Sequence, residues 1–506
     1  MPNERIQQVR DELGLGPAHP AAVSRQLAVA LSDFLLLREP SSEALKEAFH
    51  RDRSATIARL LHTAESWRTA HFGEQLSILD SAGLLPSNLP LSNFAEETYV
   101  ERIVHLALEH ALVNPAAPPL LISPVPDVEG TRDLSGSAIV AVLFDHPLAI
   151  THELYPLWTD AYVFSCSAPA GTAPLLQLVG VHNSWLDAQG CARRAILFHP
   201  DLDLFIEPPL QRPLPLSSAL LLCQSPESHR TLSALLETES VPHVSPYAPA
   251  AIADDKWSCF ERWQQAGVPT PPTCLLDRGQ TTDSARQLIR SFADRCGEEG
   301  KHGWVVQPRH GTEGTQVTWT ERTANAADVI VDSWRKIAAG DDAILRPRIG
   351  LVGLPSEGDL HPFDLRLHVS FDGTDYSVES GYLQIAPAAN EPISSISRGG
   401  QIQSISELSA DRLVHLGDDR TLPWNPTDLA RSVSTAIQAV RAIGALGLAG
   451  VDIKIDCRKG VLQPTVLDLN PRPAGLLHAN LLADGEAGIG PSLWRHLIAM
   501  SGETRG

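Results

Sequence analysis

The stretch GVDIKIDCRKGVLQPTVLDLN, residues 450–470, constrains this chain more than any other. At a strand's period of two, Val451, Ile453 and Ile455 share one face while Asp452 takes the other. In the second run Leu467 and Leu469 oppose Asp468 and Asn470 in the same way. CRKG offers a turn centred near Gly460, and folding back on it sets Asp452 across from Asp468, with Asn470 one pleat further on. Pro464 lacks a ladder donor and could force a bulge that shifts this register. Pro471, Arg472, Pro473 and Gly475 then stop the strand. One face therefore carries two carboxylates and a carboxamide. The solvated face of an edge hairpin accounts for that equally well when the hairpin is taken alone.

The rest of the chain decides between these two accounts. Its 506 residues imply two to four domains, and 43% hydrophobic with 20% charged residues is ordinary globular composition. A formal charge of −20 argues against nonspecific binding to nucleic acid or to an anionic membrane. The opening MPNERIQQVRDELG mixes charge signs and lacks an apolar run, so a cytoplasmic location is expected. Seven cysteines form no CxxC pair and no Cys/His cluster, which reads as reduced thiols without a zinc site.

Residues 1–113 repeat apolar positions at helical intervals and are expected to form a helical region. The proline-dense NPAAPPLLISPVPDVEG marks a boundary near 114–130. Between 131 and 250 the runs AIVAVLFD, DAYVFSCS, LLQLVGVH, AILFHP and SALLLCQS read as short strands. With SPESHRTLSALLETE as a helix, they predict an α/β domain. The second half mixes strands and helices in an α+β pattern, divided into 251–345 and 346–506.

Four further motifs of that half bear on chemistry. WVVQPRHGTEGTQVTW is a strand, a loop with Gly311 and Gly314, and a second strand; small residues there let backbone N–H groups approach a phosphate, though a plain hairpin would look the same. IADDKW places Lys256 in the first turn of a helix capped by Asp254 or Asp255, where a cation opposes the macrodipole and gains no local stability. HPFDLRLHV puts Asp364, Arg366 and His368 on one strand face, as a salt-bridged sheet also would. SSISRGGQIQS sets Arg398 before two glycines, as a phosphate contact or an ordinary turn. Hard oxygen donors without sulfur or imidazole suit Mg2+.

Taken in order over residues 251–480, these pieces resemble the ATP-grasp superfamily, in particular its carboxylate-amine ligases acting on amino acids or peptides. The resemblance implies a C-terminal ATP-grasp fold with a small lobe at 251–345 and a large lobe at 346–506. It also implies a pre-ATP-grasp-like domain at 131–250. Asp452, Asp468 and Asn470 would hold the metal ions on ATP, Mg2+ with Mn2+ as an alternative. Lys256 would contact phosphate, and Gly311, Thr312, Gly314 and Thr315 would form the flap over it. Asp364 would hold the ribose hydroxyls, and the hinge strand at Leu345 would meet the adenine through its backbone. Arg472 would face the transferred phosphoryl group or the acyl substrate, and Arg398 with Gly399 and Gly400 would help close the phosphate end.

Two positions depart from the family. Gln307 stands where a lysine is usual, so that contact is neutral unless Arg309 replaces it. The hinge has Arg346 or Pro347 in place of an acid. The activity implied is ATP-dependent amide or peptide bond formation through an acyl phosphate, on small carboxylate and amine substrates, a peptide among them. The alternatives are an ATP-grasp kinase and a catalytically silent ATP-binding regulatory protein. A homodimer is compatible with the resemblance, and the acid and amine are not named by the sequence.

Overall fold

The computed structural model describes residues 138–503 apart from short stretches, among them 146–153, 165–175, 312–315, 395–399 and 483–489. The helical region expected over 1–113 and the boundary at 114–130 lie outside the described residues. The chain divides into two compact units, one of residues 1–243 with 500–506 and one of 244–499.

In the first unit the described elements are β1 (Ala138–Phe144), β2 (Leu176–His182), β3 (Leu197–His199), β4 (Leu204–Ile206), β5 (Ser218–Leu221), α1 (Pro226–Thr238) and β6 (His243–Val244). They form a sheet of order β2-β1-β5-β6 and a separate β3-β4 pair. β1 runs parallel to both β2 and β5. Every residue of AIVAVLF is buried, as expected of a parallel strand covered on both faces. DAYVFSCS departs from its predicted strand: Asp160, Ala161 and Phe164 are helical. A short apolar run has no periodicity of its own to separate the two states, and its surroundings decided.

The second unit opens with α2 (Tyr247–Asp254) and α3 (Lys256–Ala266), followed by β7 (Cys274–Leu276), α4 (Thr282–Cys296), β8 (Trp304–Pro308), β9 (Thr318–Thr320), α5 (Ala326–Ile337) and β10 (Ala343–Pro347). Then come β11 (Gly353–Ser356), β12 (Asp359–Phe371), β13 (Tyr376–Ile385), β14 (Gln401–Ser404), β15 (Leu413–His415) and β16 (Thr421–Pro423). The last elements are α6 (Pro426–Ile443), β17 (Leu448–Arg458), β18 (Val461–Asn470) and α7 (Pro491–Glu503).

β7, β10, β8 and β9 make a small antiparallel sheet in the order β7-β10-β8-β9. Its apolar face packs with α4 and α5 through Phe292, Trp304, Ile330 and Trp334. The larger sheet runs β14-β13-β12-β11-β15-β16, with β17 pairing β12 and β18. Its core holds Val451, Ile453, Ile455, Val466 and Leu469 against Ala436, Ala439 and Val440 of α6 and Trp263 of α3. The Trp263 indole N–H donates to the Ala439 carbonyl at 3.1 Å, so a bulky aromatic is buried without an orphaned donor. No helix among the described residues is long and apolar enough to cross a membrane.

The 450–470 hairpin forms, with Arg458 facing Val461 across a turn in which Gly460 has φ +76°, and Asp452 faces Asp468 as expected. A register shift does occur, at Leu467 and not at Pro464, which pairs with Ile455. Among the described residues β18 has one strand neighbour, and an edge strand tolerates proline. The bulge leaves Asp468 and Asn470 on one face of the ladder.

Candidate functional site

The start of α3 is built by short-range chemistry. Asp255 is the N-cap, its Oδ1 accepting from the Trp257 and Ser258 N–H groups at 3.0 and 3.2 Å, and Gly267 closes the helix in the left-handed region at φ +70°. Arg309, just beyond β8, donates from Nε and Nη2 to the two Asp255 oxygens at 2.8 and 2.6 Å, and from Nη1 to Asp342 at 3.2 Å. Its guanidinium therefore clamps the helix to the small sheet.

Burial alone would push the Asp255 carboxyl up. Hydrogen bonds from Arg309 and Ser258, with the Arg309 charge, outweigh that and hold it at about 2 against an ordinary 3.8. A carboxyl depressed on folding contributes stability that is complete above its unfolded value and lost as pH falls through its folded one. Stability is therefore expected to fall from about pH 4 down to about pH 2, and Asp255→Asn to flatten that fall in amide hydrogen exchange over α3. An identical pH profile in the variant would rule out a contribution from this pair.

Lys256, at the first helical position, is buried. Its Nζ donates to the Gly311 carbonyl at 2.5 Å and lies 3.6 Å from Asp468 Oδ2. One side chain thus joins the helix start, the base of the glycine loop and the carboxylate strand. Gly311 has φ +121°, a conformation open to glycine. Thr312, Gly314 and Thr315 lie outside the described residues, as does Arg398.

On the large sheet, β12 and β17 set Arg366 opposite Asp452 and Asp364 opposite Lys454. Arg366 donates from Nε to Asp452 Oδ1 at 2.5 Å and from Nη2 to Oδ2 at 3.0 Å. Asn470 donates from Nδ2 to Asp452 Oδ2 at 3.4 Å. Burial pushes the Asp452 carboxyl up from its ordinary range, Arg366 opposes this, and Asp468 and Asp364 add to it. Asp468 is more open, its side chain 28% exposed, and its Oδ1 accepts from the Leu469 N–H at 3.0 Å. Arg472 turns back to Asp254 at the end of α2, with Nη2 at 2.5 and 2.7 Å from the two oxygens.

Asp364 shares the Asp452 face, but its carboxylate accepts from Lys454 Nζ at 2.7 Å and from the Ser394 hydroxyl. Lys454 also donates to the Pro392 carbonyl at 3.0 Å, so the pair holds the chain at Pro392 and Ser394. The Leu345 side chain is fully buried in the small-sheet core, and its main chain lies between Cys274 and Val306. Only its backbone could meet a ligand. Gln307 sits on β8 opposite Ile344, partly exposed.

Sequence reasoning passed over Lys454 and gave Arg366 and Arg346 no role in this constellation. Lys454 continues the alternation of GVDIKID on the Asp452 face and was legible there. The role of Arg366 as partner of Asp452 depends on a pairing between strands distant in sequence. Arg346, 4% exposed, donates from Nε to Thr273 Oγ1 at 3.1 Å and from Nη1 to the carbonyl of the bulged Leu467 at 2.8 Å. Burial lowers its pKa, opposed chiefly by the charge of Asp468. Arg346 thus donates to the carbonyl of the residue at which the ladder bulges.

Among the described residues no three His, Cys, Asp or Glu side chains form a metal cage. The donors present are two carboxylates and a carboxamide on adjacent strands, which fits an ion such as Mg2+ that completes its octahedron with phosphate and water oxygens.

No family model matches the chain, and no curated protein matches it. Among solved structures it is similar to a D-alanine-D-alanine ligase from Coxiella burnetii, at 14% identity over 73% of this chain and 97% of that one, TM-score 0.43. It is also similar to D-alanyl-alanine synthetase A from Vibrio cholerae, at 12% identity over 72% and 98%, TM-score 0.44. A D-cycloserine synthetase is similar at 16% identity over 72% and 99%, TM-score 0.40. At these identities and TM-scores function is read from the site residues alone.

Proposed function

We propose that this chain is an ATP-dependent carboxylate-amine ligase acting on amino-acid-like substrates. The observation that carries the reading is the convergence at Lys256: its Nζ stands 2.5 Å from the Gly311 carbonyl and 3.6 Å from Asp468. A solvated surface lysine would touch neither. The reaction requires the γ-phosphoryl group to pass to a carboxylate oxygen with loss of ADP. An amine then attacks the acyl carbon, forming the C–N bond as the C–O bond breaks and phosphate leaves.

Such chemistry asks the protein mainly for charge compensation and alignment. Lys256 supplies a cation beside the glycine loop, and Arg366 supplies another on the sheet. Asp468 and Asn470, with Asp452 beside them, would hold Mg2+, which when bound neutralises phosphate oxygens and favours phosphoryl transfer. Gly311, at the start of the glycine loop, would bring backbone N–H groups to phosphate.

The test is a screen of phosphate release over paired carboxylic and amino acids, with mass spectrometry of products. ADP and phosphate are expected only when acid and amine are both present. ADP formation without an amine would instead establish a kinase. Nucleotide binding with no turnover for any pair would establish the regulatory reading.

A further inference from the structure

Asp452 and Asp468 stand opposite each other, yet the chain treats them differently. Lys256 reaches Asp468 only to 3.6 Å, beyond hydrogen-bond distance, and spends its short bond on the Gly311 carbonyl. Lysine is a compact charge on a flexible stem and can withdraw from that carboxylate as a ligand arrives.

Arg366 is held far more firmly. It stands on β12, between β13 and β17 in the sheet, and donates to both oxygens of Asp452 in the side-on fork that matches a carboxylate. Gly450 makes room for it: a Cβ there would lie 3.3 Å from Arg366 Cδ, 3.4 Å from Nη1 and 3.0 Å from Pro473 Cβ. A guanidinium cannot shed its proton to admit a second cation.

Asn470 points the same way. Its Nδ2 is turned to Asp452, which leaves its carbonyl oxygen free of that residue. Asp468 and the Asn470 carbonyl, two residues apart on one strand face, then remain as hard donors. One carboxylate and one further oxygen, completed by phosphate and water, is a sufficient protein contribution for a single Mg2+.

From this geometry we infer that the site takes one divalent cation, on Asp468 and Asn470, and that Arg366 supplies the second positive charge permanently at Asp452. The inference rests on the ligase reading. It differs from the paired-ion arrangement implied by the motifs, in which Asp452 is a ligand.

The test uses the full chain, Mn2+ and a non-hydrolysable ATP analogue, with bound metal counted by equilibrium dialysis and inspected by electron paramagnetic resonance. The wild type is expected to bind one Mn2+ per chain with no spin coupling between ions. Arg366→Met, which frees Asp452, is expected to bind two with a coupled spectrum. Asp452→Asn should still bind one, at a cost no greater than the about 10- to 100-fold typical of losing an outer partner of a ligand, while Asp468→Asn should weaken the ion more than that. Two coupled ions in the wild type would overturn the inference. So would Asp452→Asn weakening the metal as much as Asp468→Asn, a comparison that stands even if Arg366→Met does not fold. Failure of the analogue to bind, followed separately by nucleotide dialysis, would remove the ligase reading as well.

Discussion

Asp468→Ala is expected to lower phosphate release by about 100- to 1,000-fold, the range typical for loss of a group that stabilises transition-state charge. The side chain accepts one local N–H, from Leu469, and is 28% exposed. Its removal also takes counter-charge from the buried Lys256 and Arg346, although Lys256 keeps its bond to Gly311. A lower melting temperature is therefore expected beside the loss of activity, and phosphate release is compared well below the variant's transition. Activity within about 3-fold of wild type would end the assignment of Asp468 to phosphate or metal chemistry.

The largest effect on stability is expected from Lys454→Met. Lys454 is 3% exposed and Asp364 is also buried, with 2.7 Å between Nζ and Oδ1. Removing one member of a buried ion pair leaves the other charge stranded, at a typical cost of about 3–5 kcal/mol. The double variant Lys454→Met, Asp364→Leu removes both charges and is expected to regain most of that loss. Amide hydrogen exchange along β12 and β17 is the suitable measure, since a chain of two units has no single unfolding free energy. A loss below about 1 kcal/mol in the single variant would show that water reaches the pair and screens it.

What the sequence made legible was whatever is local. Two alternating runs and one glycine turn give the β17–β18 hairpin, and the start of α3 follows from its cap, but the pairing of Asp452 with Asp468 needs the extra residue at Leu467. The counter-charges were not legible. Arg366 meets Asp452 across 86 positions of chain, and no periodicity announces which distant strand will lie alongside β17. The strand misread at DAYVFSCS failed for the opposite reason, being too short for its own pattern to decide. Pro464 drew attention as the obvious irregularity. The bulge came at Leu467, where Arg346 was on hand to receive the carbonyl.

The difference in sequence separation also orders the steps by which the site can assemble. The β17–β18 hairpin closes over a short turn at a small loop-closure cost, so its two carboxylates can come together early. Arg366 and Lys256 must be brought in over long stretches of chain. Until then the hairpin carries its paired negative charges into water, and burial of that face has to wait for the cations. Completion of the electrostatic set and completion of the fold are then the same event.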